Sequence, residues 1–153
     1  MSLFGRRTGD TRAASAAVDA ALQTLGVDPA QSALPARGDG RAAWSIGKGS
    51  VEVYVVLEGD DSARTLRVFA PALTVPPDNL MPLYRRLLEI NGDGLSGCAF
   101  GLRGDKVILG VERSAQGIDK DTIRDLILLV AHHADHFDDE LAHGFGGYRH
   151  SDS

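Results

Sequence analysis

Residues 76–92 read PPDNLMPLYRRLLEING, and the rest of the chain is arranged around this stretch. Its apolar residues recur with the spacing of one helix face, at positions 80, 83, 84, 87 and 88. Asp78 or Asn79 is placed to cap the first N–H groups of a helix, and Asn91-Gly92 supplies residues that accept a left-handed helix end. The stretch therefore predicts one amphipathic helix with a defined start and end.

Strand-like sequence lies on both sides of this helix. Before it, three β-branched or alternating runs are separated by turns that contain glycine, at 42–46, 50–58 and 65–75. After it, two runs joined by a short turn predict a hairpin, at 97–102 and 106–111. Two more helices are predicted by their periodicity, over 10–25 and from Asp119 to Leu141. We predict an α+β fold with the order α-β-β-β-α-β-β-α, in which helices pack against an antiparallel sheet of about five strands.

The chain length of 153 residues fits one domain, since domains typically hold about 100–150 residues. Its 43% hydrophobic and 24% charged residues are ordinary globular values, which argues against disorder of the whole chain. We therefore predict a single domain over residues 10–143. Residues 1–9 are predicted to form a flexible N-terminus, and residues 144–153 a flexible Gly-rich tail.

Charge and cysteine content argue against several classes of protein. A formal net charge of −5 argues against direct nucleic-acid binding, which relies on clustered Lys and Arg. Cys98 is the only cysteine, so no intramolecular disulfide can form, and we predict a buried thiol in a reducing, cytoplasmic compartment. The sequence has no run of about 18 apolar residues that could span a bilayer and no signal-peptide pattern at its N-terminus.

Both faces of the second and third predicted strands carry apolar side chains. The valines at odd positions of the second strand share one face, and the other face holds Tyr54, Val56, Phe69 and Leu73. A sheet with one solvated face shows cleaner alternation, so we expect a second layer: the central helix, a partner subunit or a bound peptide. We predict that Tyr54, Val56, Phe69 and Leu73 bind an extended or helical segment of a partner protein.

A homodimer is predicted from the number of helices. The first and last helices suffice to cover one side of the sheet, whereas a single central helix about 10 Å across cannot cover the other. Two copies that meet across a two-fold axis would close this gap. The candidate contact residues lie on the central helix: Leu80, Tyr84, Leu87 and Leu88. A contact through a strand face is the alternative.

The last helix carries the residues that most resemble a metal site. His132, His136, Asp139 and His143 project to one side of it, opposite the apolar stripe. A His pair four residues apart with a nearby carboxylate can hold zinc, but no Glu follows the first His as a zinc peptidase requires. The chain shows no nucleophile–base pair and no carboxylate pair. We therefore predict a non-enzymatic protein without cofactor or metal, with a metal-dependent sensor or enzyme on this helix face as the alternative.

Several segments between residues 10 and 140 resemble the YbjN family of bacterial sensory-transduction regulators. The most specific is Leu83-Tyr84-Arg85-Arg86-Leu87-Leu88-Glu89-Ile90-Asn91, and the others lie at 44–46, 49–53, 68–73, 100–102 and 104–107. The fold of that family is similar to that of the type III secretion chaperones. The resemblance implies a chaperone-like or regulatory module that forms homodimers and binds a segment of another cytoplasmic protein, without enzymatic residues.

Overall fold

A computed structural model of the chain describes residues 3–35, 41–60, 63–145 and 148–149, with side chains from residue 12 to residue 145 of those ranges. In chain order the elements are α1 (Leu3–Thr24), α2 (Pro29–Ser32), β1 (Ala42–Lys48), β2 (Val51–Glu58), β3 (Thr65–Thr74), α3 (Leu80–Asp93), β4 (Ala99–Arg103), β5 (Lys106–Ser114), α4 (Lys120–Phe145) and β6 (Tyr148–Arg149). The predicted α+β fold and its order are confirmed, with the short α2 and β6 as additions. None of the described helices is long and apolar enough to cross a membrane.

The strands form one sheet in the order β1-β2-β3-β5-β4, and β6 pairs antiparallel with the end of β3. β4 and β5 pair antiparallel on either side of the turn Gly104-Asp105, in which Gly104 has φ 61°. A positive φ is required in two-residue hairpin turns whose twist matches that of the strands. Because β5 returns between β3 and β4, β4 and β1 are the outermost strands of this order. The predicted antiparallel sheet of about five strands is confirmed.

The chain falls into two compact units. Unit 1 comprises Met1–Ile46, Tyr54–Val68 and Glu112–Leu128, and unit 2 comprises Gly47–Val53, Phe69–Val111 and Leu129–Ser153. Residues of β1, β2, β3, β5 and α4 are divided between the two units. The single domain over residues 10–143 stays a prediction.

Unit 1 has a core that α1 shares with the strands and with the first half of α4. Val18, Ala21 and Leu22 lie on one stripe of α1 and are fully buried, as the helical spacing predicts. Trp44 is also buried, and its indole Nε1 donates a hydrogen bond to Asp19 Oδ1 at 3.2 Å, which satisfies the buried N–H. The other fully buried residues of this core are Val55, Leu57, Leu66, Val68, Ile123 and Ile127.

Unit 2 packs α3 and the second half of α4 against the strands. Leu83, Leu87 and Ile90 form the buried stripe of α3. The Phe100 ring of β4 meets the Phe137 ring of α4 edge-on, with 5.8 Å between the ring centroids, which is a favourable aromatic geometry. Further buried residues of unit 2 are Val51, Val53, Ala70, Leu73, Val107, Leu109, Val130, Ala134 and Leu141.

α3 lies beside α4 in unit 2. Arg86 Nη2 is 2.7 Å from Glu140 Oε1, so the two helices are neighbours on the same side of the strands. We expected the central helix to cover the opposite side of the sheet from the last helix, and this expectation is wrong. A salt bridge this short cannot cross a sheet, since packed layers of structure lie about 10 Å apart.

Several element ends differ from the sequence predictions. α1 begins at Leu3 instead of residue 10, and α4 runs to Phe145 before β6 follows. The remaining residues of the predicted flexible ends, at 1–2, 146–147 and 150–153, lie outside the described residues. Asn79 precedes α3 with φ 58° and forms no side-chain cap, so the predicted cap at this residue is wrong. Gly94 ends α3 with φ 113°, a conformation that favours glycine.

Candidate functional site

The outward face of β2 in unit 1 is only half-buried. Val55 and Leu57 have no exposed surface, whereas Tyr54 and Val56, which alternate with them, are partly exposed. Such alternation is typical of a sheet that packs one face and turns the other toward solvent. Tyr54 and Val56 therefore keep part of their surface accessible.

Charged side chains on the same face of unit 1 as Tyr54 and Val56 form ion pairs with one another. Arg67 Nη2 lies 3.4 Å from Glu58 Oε1 and 3.1 Å from Glu112 Oε2. Arg41 forms a further ion pair with Glu58 at 3.4 Å. Exposed ion pairs contribute only about 0–1 kcal/mol each to stability. Two arginines and two glutamates therefore leave little net charge beside Tyr54 and Val56.

In unit 2 the outward residues of β3, β4 and β5 include one aromatic ring and two cations. Arg103 of β4 lies over Phe69 of β3, with the guanidinium carbon 5.7 Å from the ring centroid. Lys106 pairs with Arg103 in the register of the hairpin, and its Nζ donates to the Thr74 hydroxyl at 2.7 Å. This part of the sheet thus presents one aromatic ring beside two cations.

The four residues predicted to bind a partner are divided between the two units. Tyr54 and Val56 belong to unit 1, and Phe69 and Leu73 belong to unit 2. Leu73 is only 1% exposed, because β3 buries the two consecutive residues Ala72 and Leu73 where it pairs with β6. Leu73 is therefore a core residue. That the other three bind a partner stays a prediction.

The exposed side of α3 differs from the predicted dimer contact. Leu88 is 70% exposed, but Leu87 is 6% exposed and belongs to the core, while Leu80 and Tyr84 are half-buried. Met81, which the sequence analysis missed, is 75% exposed. It precedes Leu88 by two helix turns and so lies on the same side of the helix. This spacing was the signal that could have identified it.

The four residues considered as metal ligands lie on the exposed side of α4: His132, His136, Asp139 and His143. Among the residues that the structure describes, no group of three or more His, Cys, Asp and Glu side chains is arranged to hold a metal ion. The alternative of a metal-dependent sensor or enzyme therefore has no support from this helix face.

A cleft of about 290 Å³ lies between α3 and α4 in unit 2. Arg86 and Asp93 line it from α3, and three histidines, His132, His133 and His136, line it from α4. Partial burial lowers the pKa of His133 below its ordinary value, and the charges of His132 and His136 lower that pKa further. The cleft therefore disfavours a proton on His133.

The side chain of Asn91 occupies the free edge of β4 in unit 2. Its Nδ2 donates to the Phe100 carbonyl at 3.0 Å, and the Phe100 N–H donates to its Oδ1 at 2.8 Å. One carboxamide thus takes the place of a neighbouring strand at Phe100 and blocks further pairing at that residue. From the sequence, Asn91 was expected only near the end of the helix. Its hydrogen bonds to Phe100 were missed, because a contact between separate elements leaves no periodic signal.

Cys98 is buried, which confirms the sequence prediction. Burial also raises the pKa of its thiol. Because the thiolate is the reactive form, this cysteine is poorly suited to nucleophilic chemistry.

Residues 13–153 match the model of a protein family described as "T3SS (YopN, CesT) and YbjN peptide-binding chaperone 1". The chain belongs to this family. The match confirms the resemblance to the YbjN family and to the secretion chaperones. The protein is therefore a member of a family of peptide-binding chaperones, and the strand faces described above lie within the matched residues.

Two solved structures share the fold at low sequence identity. The crystal structure of the ExsC–ExsE complex aligns with a TM-score of 0.60 and 15% identity, over 83% of this chain and 92% of that chain. The structure of the HopA1–SchA chaperone–effector complex aligns with a TM-score of 0.52 and 14% identity, over 81% of this chain and 91% of that chain. No curated protein matches the sequence. Similarity at this level establishes the fold, and function must come from the site.

Proposed function

We propose that this protein is a non-enzymatic, cytoplasmic chaperone that binds a segment of a partner protein on an outward strand face. The observation that carries the proposal is the pair Tyr54 and Val56 in unit 1, which stay partly exposed beside fully buried neighbours. Ordered apolar surface outside the core is typical of protein-binding sites. Membership of a peptide-binding family supports the same function, and the lone buried thiol of Cys98 suits a reducing compartment.

The segment binds a strand face in this proposal because described backbone groups at both outermost strands are already occupied. In unit 1 the Leu34 N–H donates to the Ala43 carbonyl of β1 at 2.8 Å. In unit 2 Asn91 satisfies both backbone groups of Phe100 in β4. A peptide cannot add as a further strand at these positions, since addition needs free backbone donors and acceptors. Specificity then depends on side chains such as Tyr54 and Val56.

A protein partner is also supported by a structural relative. The HopA1–SchA structure is described as a chaperone–effector complex, so a chain of similar fold holds another protein. We assign the present chain a partner of the same broad kind, a protein segment, without a claim about its pathway.

The proposal includes a homodimer formed through α3. Met81 and Leu88 are its largely exposed apolar side chains, and Gly92 continues the same side with open space above it. In an antiparallel crossing centred between Arg85 and Leu88, Met81 of one copy meets Gly92 of the other copy. A two-fold contact of this kind is self-complementary and is the commonest form of assembly.

Peptide selection tests the function. The protein is used to select peptides from a random phage-displayed library, and the best binder is labelled and titrated by fluorescence anisotropy. Tyr54→Ala is expected to weaken binding about tenfold, which corresponds to about 1.4 kcal/mol. Leu128→Ala, which removes an exposed apolar side chain from α4, is the matched control and should bind like the wild type. Failure to select any peptide, or unchanged binding by Tyr54→Ala, would contradict the proposed function or its site.

A further inference from the structure

We propose that unit 2 carries a subsite for acidic side chains of a protein segment, formed by Arg103 and Lys106 beside Phe69. The inference rests on the proposed peptide binding. It adds that the protein prefers a segment with negatively charged side chains. It is carried by the register of the β4–β5 hairpin, by the ring contact of Arg103 and by the ion pairs of the described chain.

The hairpin register places the two cations side by side. Arg103 pairs with Lys106, and Gly101 pairs with Ile108, so these four side-chain positions share one face of the hairpin. The intervening residue Val107 is fully buried on the opposite face. Arg103 is exposed and Lys106 and Ile108 are half-buried, so this face is open to a ligand.

Carboxylates do not neutralise these cations in the part of the chain that the structure describes. Arg103 lies over the Phe69 ring, and Lys106 donates to the Thr74 hydroxyl. The nearest acidic residue in the sequence, Asp105, lies in the hairpin turn, where its backbone carbonyl accepts a hydrogen bond from the Val75 N–H at 2.8 Å.

Two other arginines of the chain are held by carboxylates. Arg67 of unit 1 is held by two carboxylates, Glu58 and Glu112. In unit 2 Arg86 is held by Glu140 at 2.7 Å. Arg103 and Lys106 thus form a local positive charge on a protein whose formal net charge is −5. Charge complementarity therefore favours a segment with carboxylates at this place.

The surroundings of Arg103 suit a segment in which a carboxylate neighbours an apolar residue. The aromatic ring of Phe69 restricts the guanidinium, so less conformational freedom is lost when a carboxylate binds. A planar guanidinium also accepts a carboxylate in a two-point hydrogen-bonded geometry. Gly101 has no side chain and leaves open space opposite Ile108, where an apolar side chain of the segment can lie.

A pair of matched peptides tests the subsite. The best binder from the phage selection is compared with the same peptide in which every Asp and Glu is replaced by Asn and Gln. Wild-type protein is expected to bind the acidic form about tenfold more tightly at low salt, and added NaCl should reduce this preference. The double variant Arg103→Gln, Lys106→Gln should bind both forms with the affinity that the wild type shows for the amide form. The control, Arg113→Gln with Lys120→Gln, removes two exposed cations from unit 1 and should keep the preference.

The outcomes separate this subsite from the proposed function. If peptides are selected but the wild type does not distinguish the two forms, or the double variant keeps the preference, the subsite is wrong and the chaperone function stands. If no peptide is selected, both the subsite and the proposed chaperone function are contradicted. If a labelled single-stranded DNA binds the wild type and the double variant loses it, the cations serve nucleic acid and the inference is also overturned. Circular dichroism melting curves confirm that each variant is folded.

Discussion

Asn91 joins α3 to the outermost strand β4 with one side chain. Replacing it by alanine leaves the Phe100 N–H and carbonyl without their partner. We predict that Asn91→Ala lowers the free energy of unfolding by about 1–3 kcal/mol, the usual cost of an unsatisfied, partly buried polar group. Urea unfolding followed by circular dichroism measures this difference.

Gln116→Ala serves as the control for Asn91→Ala, because Gln116 lies exposed in a turn. Its effect is expected to stay within about 0.5 kcal/mol, as for most surface substitutions. Equal unfolding free energies for the two variants would show that the Asn91 bonds do not stabilise the protein.

His133 gives the protein a predicted pH dependence. Its pKa in the folded state is lowered by burial and by His132 and His136, while Arg86 and Asp93 face the same cleft from α3. In the unfolded state the imidazole titrates near its ordinary pKa of about 6.5. As the pH falls below about 6.5 the unfolded state therefore takes up this proton first, and the free energy of unfolding decreases.

We expect His133→Gln to reduce the loss of stability between neutral pH and the lowered pKa of His133. Urea unfolding at a series of pH values measures it. Gln116→Ala, which changes an exposed side chain that carries no titratable group and does not line the cleft, is the comparison and should keep the wild-type slope. A slope unchanged in His133→Gln would contradict the role assigned to the cleft.

At the scale of single elements, α3 shows what a periodic pattern can and cannot predict. The apolar residues at positions 80, 83, 84, 87 and 88 predicted the helix correctly, because helical spacing is a local property of the sequence. Which of them face the core could not be read from the pattern, since they cover more than one side of the helix. The core takes Leu83, Leu87 and Ile90, and Met81 and Leu88 remain outside.

The exposed side of α3 leads to a prediction about assembly. Met81→Lys combined with Leu88→Lys places two charges in the proposed dimer contact, so this variant should be monomeric. Sedimentation equilibrium at micromolar concentration compares it with the wild type, which is expected to be dimeric. Leu34→Lys, a charge at an exposed leucine of unit 1, should leave the dimer intact. A wild-type monomer would contradict the homodimer and leave this side of α3 free.

At the scale of the whole molecule, the order of elements could be predicted and their arrangement in space only in part. Turns with glycine and the two periodicities are local, so the strands and helices were found in the right order. The position of α3 beside α4 involves contacts between residues far apart in sequence, such as Arg86 and Glu140, which are 54 residues apart and form no local pattern. Tyr54 and Val56 were predicted to face away from the core valines, but the extent of their exposure could not be predicted, because both residues are apolar like the core beside them.

We propose that the outward strand face binds the partner segment. Two neighbouring valines of β2 allow a direct test of this proposal. Val55 is fully buried and Val56 is partly exposed on the opposite face. Methyl NMR spectra of valine-labelled protein are recorded while a selected peptide is added. We predict that the Val56 methyl signals shift in proportion to the peptide bound and that the Val55 signals change little. Binding that leaves the Val56 signals in place would contradict the account.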